Sequence, residues 1–533
     1  MPTSDRRLNV VPGVLWLVVF ACIGGSTGAG EPPPGQDGGA VLCPVQVVAT
    51  LGPGPLPPRL PGTRSDGERP KSGEISSRID SCVEANRLQL GAPGAAVAVA
   101  LDGEMLYQRG YGVKRRGGSD PVTPDTVFRI GSVSKQMTAA AVLQQAELGR
   151  VDLDAPVTDY IPELVIGGRW PADRIKVRHV LTHTSGFPDL INEYTAVGDH
   201  ALSYWATLQA GVELHAPPGS FWNYSNPNFM IAGLVAERAS GTPYRTLLED
   251  SLWAPAGMTA TTFDPSRVIA GGDYSFGHYA APEDGQNHIV GPRDNDLWAA
   301  GPAGFAFSTV GDLVRWALLL TDGGGPVLSP WSAATMQDPH VWQHYTPDLY
   351  YGYGIMVDRY QGLDIRQHGG NVAGFGTYLL WVPDRRFAVA VLTNVSSSLI
   401  DAAYCIVDEV LEPDPVVASD LTTDPATWAR YEGEYQLTES DGASVRARVE
   451  LDGDRLIGII TNPLDPDETL TAELVQAFLD TFVFDNDGDG ALDTDVTFHE
   501  RRGLPGVTVW LRSRHLVGER LLDPRRAVRQ LGP

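Results

Sequence analysis

Two apolar runs, Ala95–Leu101 and Met105–Tyr111, flank the tripeptide Asp102-Gly103-Glu104. Asp-Gly supplies the positive φ of a tight turn, so the pair predicts a β-hairpin. A second pair, Tyr378–Val382 and Phe387–Leu392, flanks Pro383-Asp384-Arg385-Arg386 and predicts another. Helices are predicted just outside these hairpins, at Ile79–Leu90 and Ser396–Leu411. Between them come helical stretches at Lys135–Gly149, Pro227–Arg238 and Thr309–Leu320, separated by long loops. Strands thus sit at both ends of the region and helices in its middle. The pattern predicts an α/β (α+β) fold, an antiparallel sheet built from both ends with an inserted helical lobe. Groups at the junction of lobe and sheet would share a cleft.

Glu412–Ala426 is a break rich in Pro and Asp. Beyond it, short strands are predicted at Ser444–Leu451, Leu456–Thr461, Thr481–Phe484, Val496–His499 and Val507–Leu511, with turn residues between them. Residues 427–533 therefore read as a separate, small β-barrel-like domain after a first domain at 73–414.

The N-terminal residues follow a different pattern. Arg6 and Arg7 precede an apolar run, Leu8–Gly24, that Pro12 interrupts, and small residues follow to Gly30. The run is shorter than the ~20 residues a spanning helix prefers, so residues 1–30 read as an export signal. An uncleaved anchor is the alternative. Val19-Phe20-Ala21-Cys22 has the look of a bacterial lipoprotein box, with Phe20 unusual in it. Cys22 is either lipidated, giving membrane anchoring, or a bystander. Residues 31–72, with Pro32-Pro33-Pro34 and Gly52-Pro53-Gly54-Pro55, read as a flexible linker. The expected location is outside the cytoplasm of a bacterium: periplasm, cell surface or outer membrane.

Composition adds exclusions. At 533 residues the chain is long enough for two or three folded units. Its 43% hydrophobic and 20% charged residues are ordinary for a globular protein. A formal net charge of −25 repels phosphate backbones, which argues against a nucleic-acid partner. Four cysteines (Cys22, Cys43, Cys82, Cys405) do not make a disulfide scaffold, and spacing assigns no pair.

The candidate chemistry begins at Ile130-Gly131-Ser132-Val133-Ser134-Lys135. Helix residues three apart share a face, so Ser132 and Lys135 point into one cleft. A helix N-terminus favours negative charge developing at Ser132. A serine hydroxyl is a weak nucleophile without a nearby base, and an amine serves only if its pKa falls from ~10.4 through burial or neighbouring cations. Taken alone, Ser-x-x-Lys equally fits a helix cap with a solvated lysine. A second piece is Tyr224-Ser225-Asn226. A phenolate held near a cation can take the serine proton and return it to a leaving group, and the Asn226 amide can orient a carbonyl. A third is His368-Gly369-Gly370-Asn371, ahead of a predicted strand. Its glycines would let substrate lie against the strand edge. A backbone N–H there would complete an oxyanion hole with that of Ser132.

Together and in this order, these pieces resemble the class C β-lactamase and D,D-peptidase branch of the penicillin-recognising serine hydrolases, over roughly residues 75–412. Leu181-Thr182-His183-Thr184-Ser185-Gly186 and Gly301-Pro302-Ala303-Gly304 support the resemblance. It implies a β-lactamase/transpeptidase-like fold, Ser132 as acylated nucleophile, Lys135 as its activator and Tyr224 as general base and acid. Asn226 would orient substrate, and Asn371 would be the second oxyanion donor. His368 takes the place of the lysine in the family's Lys-Thr-Gly motif. A neutral histidine holds a substrate carboxylate poorly, and relatives with His here include D-aminopeptidases and esterases. The expected activity is therefore hydrolysis, through an acyl-enzyme, of a peptide, amide or ester, with D-amino-acid peptides and esters favoured. The alternatives are a β-lactamase and a catalytically silent protein that binds cell-wall fragments.

Other signals are weaker. His179/His183 and His340/His344 have the spacing of a metal pair on a helix, without a glutamate placed as in zinc proteases. The Gly-x-Ser-x-Gly elbow of α/β-hydrolases is absent from residues 73–533. Asp485, Asp487, Asp489 and Asp493 alternate around Gly490 as in a short calcium loop, and equally as in an acidic turn. Calcium there would be structural, and no cofactor is expected in the catalytic site.

Overall fold

The computed structural model describes residues 72–189, 196–280, 287–294, 296–344, 348–413, 425–439, 444–461, 469–478, 481–484, 494–501, 504–512 and 516–521. The signal, the linker, Cys22, Cys43 and the aspartate loop lie outside them. Among the described residues no helix is long and apolar enough to cross a membrane.

Both hairpins form. Gly94–Leu101 and Glu104–Gly112 turn at Asp102 and Gly103, whose φ values are 54° and 84°. Phe375–Val382 and Phe387–Thr393 turn through Pro383–Arg385 and a left-handed Arg386. The two hairpins join edge to edge, with Ala95 opposite Thr393 and Ala100 opposite Ala388. An eight-stranded sheet results. From one edge it runs Glu104–Gly112, Gly94–Leu101, Phe387–Thr393, Phe375–Val382, Leu363–Val372, Met356–Tyr360, Tyr350–Tyr351 and Val341–Trp342. Neighbouring strands pair antiparallel, and the first two come from one end of the domain and the rest from the other.

Strand periodicity of two gives each face its own character. Val97, Val99, Leu380, Val389 and Val391 face a pair of terminal helices, Ser72–Gln89 and Ile400–Leu411. Ala96, Ala98, Ala100, Ala388 and Ala390 face the helical lobe. Their small side chains admit the lobe helix Val310–Thr321. The terminal helices are cross-linked by a disulfide, Cys82–Cys405, with Cα atoms 5.8 Å apart across 323 residues of sequence. Both helices differ from expectation at their starts: the first begins at Ser72 and the last at Ile400 rather than Ser396.

Beyond residue 424 eight antiparallel strands close into a barrel. Ser444–Asp452 shows why: Val445, Ala447 and Val449 alternate inward while their neighbours face water. Closure leaves no unpaired edge. Five of the strands match the predicted runs. Gly433–Glu439, Thr469–Phe478 and Leu516–Leu521 are additional. The barrel rests on the first domain. His499 stacks on Phe221 with ring centroids 4.3 Å apart, and Trp510 and Val517 pack beside it.

Candidate active site

Ser132 lies in a single 3-10 turn, Gly131–Val133, that runs directly into the helix Ser134–Glu147. Its side chain is half-buried, whereas Lys135, one turn on, is completely buried. Lys135 Nζ donates to Ser132 Oγ at 3.0 Å, to Asn226 Oδ1 at 2.7 Å and to the carbonyl of Ala303 at 2.5 Å. An ammonium has three hydrogens, enough to serve these three acceptors. The Gly301-Pro302-Ala303-Gly304 segment thus supplies a fixed acceptor that holds the amine. Nζ also lies 4.9 Å from the ring centre of Tyr224, within cation–π range.

Tyr224 precedes the helix Asn226–Ser240 and is buried in aromatic company. The His183 ring stands 4.2 Å from it, and those of Trp222 and His368 stand 6.3 Å away. His183 does more than pack. Its carbonyl accepts from Asn223 N at 2.8 Å, and its ring Nδ1 accepts from Ser225 N at 3.1 Å. The residues on both sides of Tyr224 are therefore tied to one histidine, whose φ of 55° turns the chain to make this reach. His183, and Asp189, whose Oδ1 accepts from Asn226 N at 2.8 Å, are site residues that the catalytic motifs do not single out. The Thr-His-Thr-Ser-Gly segment was visible, but nothing in it specifies what its histidine touches.

The strand Leu363–Val372 completes the cleft. Its pairing with Met356–Tyr360 stops at Gln367, so His368–Val372 faces the nucleophile turn. At Gly370 the missing side chain also makes room for the protein's own nucleophile turn. A Cβ on Gly370 would fall 2.2 Å from the Ile130 carbonyl and 3.0 Å from Ser132 N. A Cβ on Gly131, where φ is +50°, would fall 2.6 Å from Asn371 N. These two glycines let strand and turn touch, and so bring Ser132 N and Asn371 N to one spot. Gly369 is more open, with only the Tyr378 ring and the Thr377 carbonyl at ordinary contact distance. The Asn371 side chain accepts from Ser398 Oγ at 2.8 Å.

His368 is wholly buried. Its Nδ1–H donates to the Gly369 carbonyl at 2.6 Å, which leaves Nε2 to accept from Tyr351 Oη at 3.0 Å. A carbonyl can only accept, so this tautomer follows. Burial first, and the Lys135 charge second, push its pKa down to about 3. The imidazole is neutral at pH 7 and is built into the wall of the cleft. Both ring nitrogens have protein partners.

All eight residues expected at the site, Ser132, Lys135, Tyr224, Asn226, His368, Gly369, Gly370 and Asn371, converge on this junction. The histidine pairs do not. His179 accepts from Lys176 N, and His183 serves Tyr224. His340 and His344 flank a strand, Val341–Trp342, rather than a helix. The former lies beside the Thr335 carbonyl and the latter against barrel residue His499. Asp485, Asp487, Asp489 and Asp493 fall outside the described residues.

A half-exposed serine, a buried amine and a buried phenol at the junction of a helical lobe and an antiparallel sheet define the β-lactamase/transpeptidase class of proteins. The family model described as Beta-lactamase matches residues 79–407, and the chain belongs to that family. Penicillin-binding protein 4 of Amycolatopsis lactamdurans is 30% identical over 326 residues, covering 58% of this chain and 83% of that protein. A D-aminopeptidase of Gluconobacter oxydans (strain 621H) is 27% identical over 333 residues, covering 61% of this chain and 60% of that protein. The crystal structure of SurE with D-Leu matches at a TM-score of 0.62 and 23% identity, over 84% of this chain and 99% of that one. That last likeness concerns the fold.

Proposed function

We propose that the chain is an exported serine hydrolase that forms an acyl-enzyme at Ser132 from a peptide, amide or ester, D-amino-acid substrates foremost. The observation that carries this reading is the Lys135 ammonium, buried and held by three acceptors with Ser132 Oγ as one of them. That cation lies 4.9 Å from the Tyr224 ring centre, where a positive charge favours negative charge developing on the phenol.

Ser132 Oγ attacks the substrate carbonyl carbon, and its proton passes to Tyr224. The N–H groups of Ser132 and Asn371 take the negative charge that develops on the carbonyl oxygen. When the C–N or C–O bond breaks, Tyr224 returns the proton to the leaving group. Water then attacks the ester at Ser132, releasing the acid and restoring the hydroxyl. Asn226 orients the substrate with the Nδ2 hydrogen that remains after the bond to Asp189.

A neutral, fully engaged His368 offers no positive charge to a substrate carboxylate. This supports substrates lacking that group, as aminopeptidase, amide and ester substrates do, over β-lactams. The D-aminopeptidase relative supports the same choice. Export is supported by the basic and apolar N-terminal pattern and by the Cys82–Cys405 bond, since disulfides persist in oxidising compartments.

The test is labelling of the full chain with a fluorophosphonate, followed by turnover of paired D- and L-aminoacyl amides, short acyl esters and nitrocefin. Labelling that Ser132→Ala abolishes, with D-amides or esters turned over faster than nitrocefin, is expected. Absence of both labelling and turnover overturns the proposal in favour of a silent binding protein.

A further inference from the structure

We infer that Asp189 is a positioning residue for this reaction, fixing the Asn226 amide in the one orientation that seats the Lys135 ammonium against Ser132. The inference rests on the acyl-enzyme reading above. It starts from donor and acceptor counts. An ammonium carries only donors and a carboxylate only acceptors, while an asparagine amide carries both. Asn226 stands between the two. Its Oδ1 accepts from Lys135 Nζ at 2.7 Å, and its Nδ2 donates to Asp189 Oδ1 at 3.0 Å. A flipped amide would set N–H against N–H at Lys135 and oxygen against oxygen at Asp189. Each contact opposes the flip, and the two together leave a single arrangement.

The same Asp189 oxygen accepts the backbone N–H of Asn226 at 2.8 Å. One carboxylate therefore holds both the main chain and the side chain of the residue that opens the helix Asn226–Ser240. A negative group at a helix N-terminus is also electrostatically favourable. The mount is stiff. Segment 183–189 is laced to segment 223–228 through His183 to Asn223 N and Ser225 N, through the Pro188 carbonyl accepting from Ser225 Oγ at 3.1 Å, and through Ser185 Oγ donating to Asn228 Oδ1. The chain of contacts Asp189–Asn226–Lys135–Ser132 thus runs from a braced loop to the nucleophile. Asp189 acts through Asn226, which its carboxylate holds at both N and Nδ2. Without it, only the Lys135 contact opposes rotation of the Asn226 amide, and the amine's third acceptor is held less firmly.

The experiment compares full-length parent, Asp189→Asn, Asp189→Ala, Asn226→Ala and the Asp189→Ala/Asn226→Ala double variant. Fluorophosphonate acylation, kcat and KM are measured on the best amide or ester, with thermal melting as the check on folding. Asp189→Ala is expected to lower kcat and the acylation rate about 10- to 100-fold, the scale of a misplaced catalytic group, with KM changed less than about threefold. The near-isosteric Asp189→Asn, which keeps an acceptor oxygen but permits the flipped amide, is expected to fall between Ala and the parent. In the Asn226→Ala background, loss of Asp189 removes only the main-chain anchor and is expected to cost much less than it does in the parent. Two results would overturn the inference while leaving the acyl-enzyme reading intact: a parent that labels at Ser132 beside an Asp189→Ala variant with kcat within twofold of it, or losses that multiply in the double variant. A parent that neither labels nor turns over substrate sinks both.

Discussion

His183 and Tyr224 stand with ring centroids 4.2 Å apart, and the same histidine hydrogen-bonds the main chain immediately before and after the tyrosine. The phenol is thus held by a face contact and by two backbone anchors. Its position depends on a residue more than forty positions earlier in the chain. His183→Ala removes the face contact and the Ser225 anchor but leaves the carbonyl anchor. The expected outcome is a fall in kcat of about 10- to 100-fold with little change in KM, because Tyr224 acts mainly in the transition state. His183→Asn, which restores a short acceptor without the ring, is expected to recover part of the loss. Steady-state kinetics on the amide or ester substrate decides it.

Gly370 offers a sharper steric test. Any side chain there collides with the Ile130 carbonyl at 2.2 Å, and backbone is a neighbour that cannot swing aside. Gly370→Ala is expected to push the strand away from the nucleophile turn and separate Ser132 N from Asn371 N. Oxyanion donors are worth about 10²- to 10³-fold each, so acylation by the fluorophosphonate should fall on that scale. Gly369→Ala meets only ordinary contacts and should label within a few-fold of the parent. The contrast between adjacent glycines separates a local steric effect from general loss of the strand.

What could be read in the chain follows physical range. Asp102-Gly103 and the Ser132/Lys135 spacing were legible because turn φ and helical pitch are local properties. The convergence of Tyr224 and His368 was legible only as a family resemblance, since neither residue announces its partner. The Cys82–Cys405 pair was not legible, because a separation of 323 residues carries no geometric signal until the terminal helices pack together. Gly370 was read as room for substrate, and it also makes room for the protein's own turn across its strand edge. Gly433–Glu439 was missed because only Tyr435 and Leu437 mark its inner face, too few for a period of two to stand out. Asp189 is one acid among many until the start of the helix at Asn226 is placed beside it.

The disulfide sets a stability prediction. It closes the two ends of the first domain, and in the chain-entropy view a loop of this size is worth on the order of 5 kcal/mol to the folded state. Cys82→Ser/Cys405→Ser, or reduction, should lower the midpoint of thermal unfolding by roughly 5–15 °C at this chain length. The active site lies on the opposite face of the sheet, among residues of the lobe side. Activity at 25 °C should therefore persist. Scanning calorimetry with and without dithiothreitol measures the first expectation and initial rates the second.

Acid should destabilise the fold through its buried histidines. Burial holds His368 at about 3, and burial with the Arg512 charge holds His344 at about 3. An unfolded histidine titrates near ~6.5, so below that pH the unfolded state binds protons that the folded state refuses. The stabilising contribution is complete above about 6.5 and is lost as pH falls toward 3, by up to about 1.4 kcal/mol per pH unit for each histidine. Asp358 works the other way. Burial raises its carboxyl to about 6, so the folded state takes up that proton before the unfolded state does. Burial also lowers His179, to about 4, and His278, His340 and His499, while it raises Glu237, Asp312 and Asp401; the histidines outnumber the carboxyls, and stability should decline from pH 7 to pH 5. Urea unfolding across that range should show the decline, and His344→Gln should flatten it. A slope unchanged in that variant would place the titration elsewhere.

The barrel meets the first domain at Arg512, a wholly buried guanidinium on the strand Leu504–Arg512. It donates to Thr497 Oγ1 at 3.0 Å and to the Gln343 carbonyl at 3.5 Å, and lies 5.4 Å from the ring centre of Trp222. Trp222 in turn packs against Tyr224 and Tyr351. A guanidinium taken from water must recover its hydration through such contacts, and the flat group matches a flat indole. Arg512→Met keeps most of the volume but takes a donor from the Thr497 hydroxyl, which keeps its contact with Thr481 Oγ1 at 3.1 Å, and from the buried Gln343 carbonyl, where an unmet acceptor costs about 1–3 kcal/mol. Arg512→Lys restores charge without the planar face, so it should recover little. Both variants should melt earlier than the parent, and kcat should fall several-fold as Trp222 loosens beside Tyr224. Melting curves and kcat per titrated Ser132 separate the two effects: an unchanged kcat with a lowered midpoint would make the barrel a support for the fold and not for the phenol.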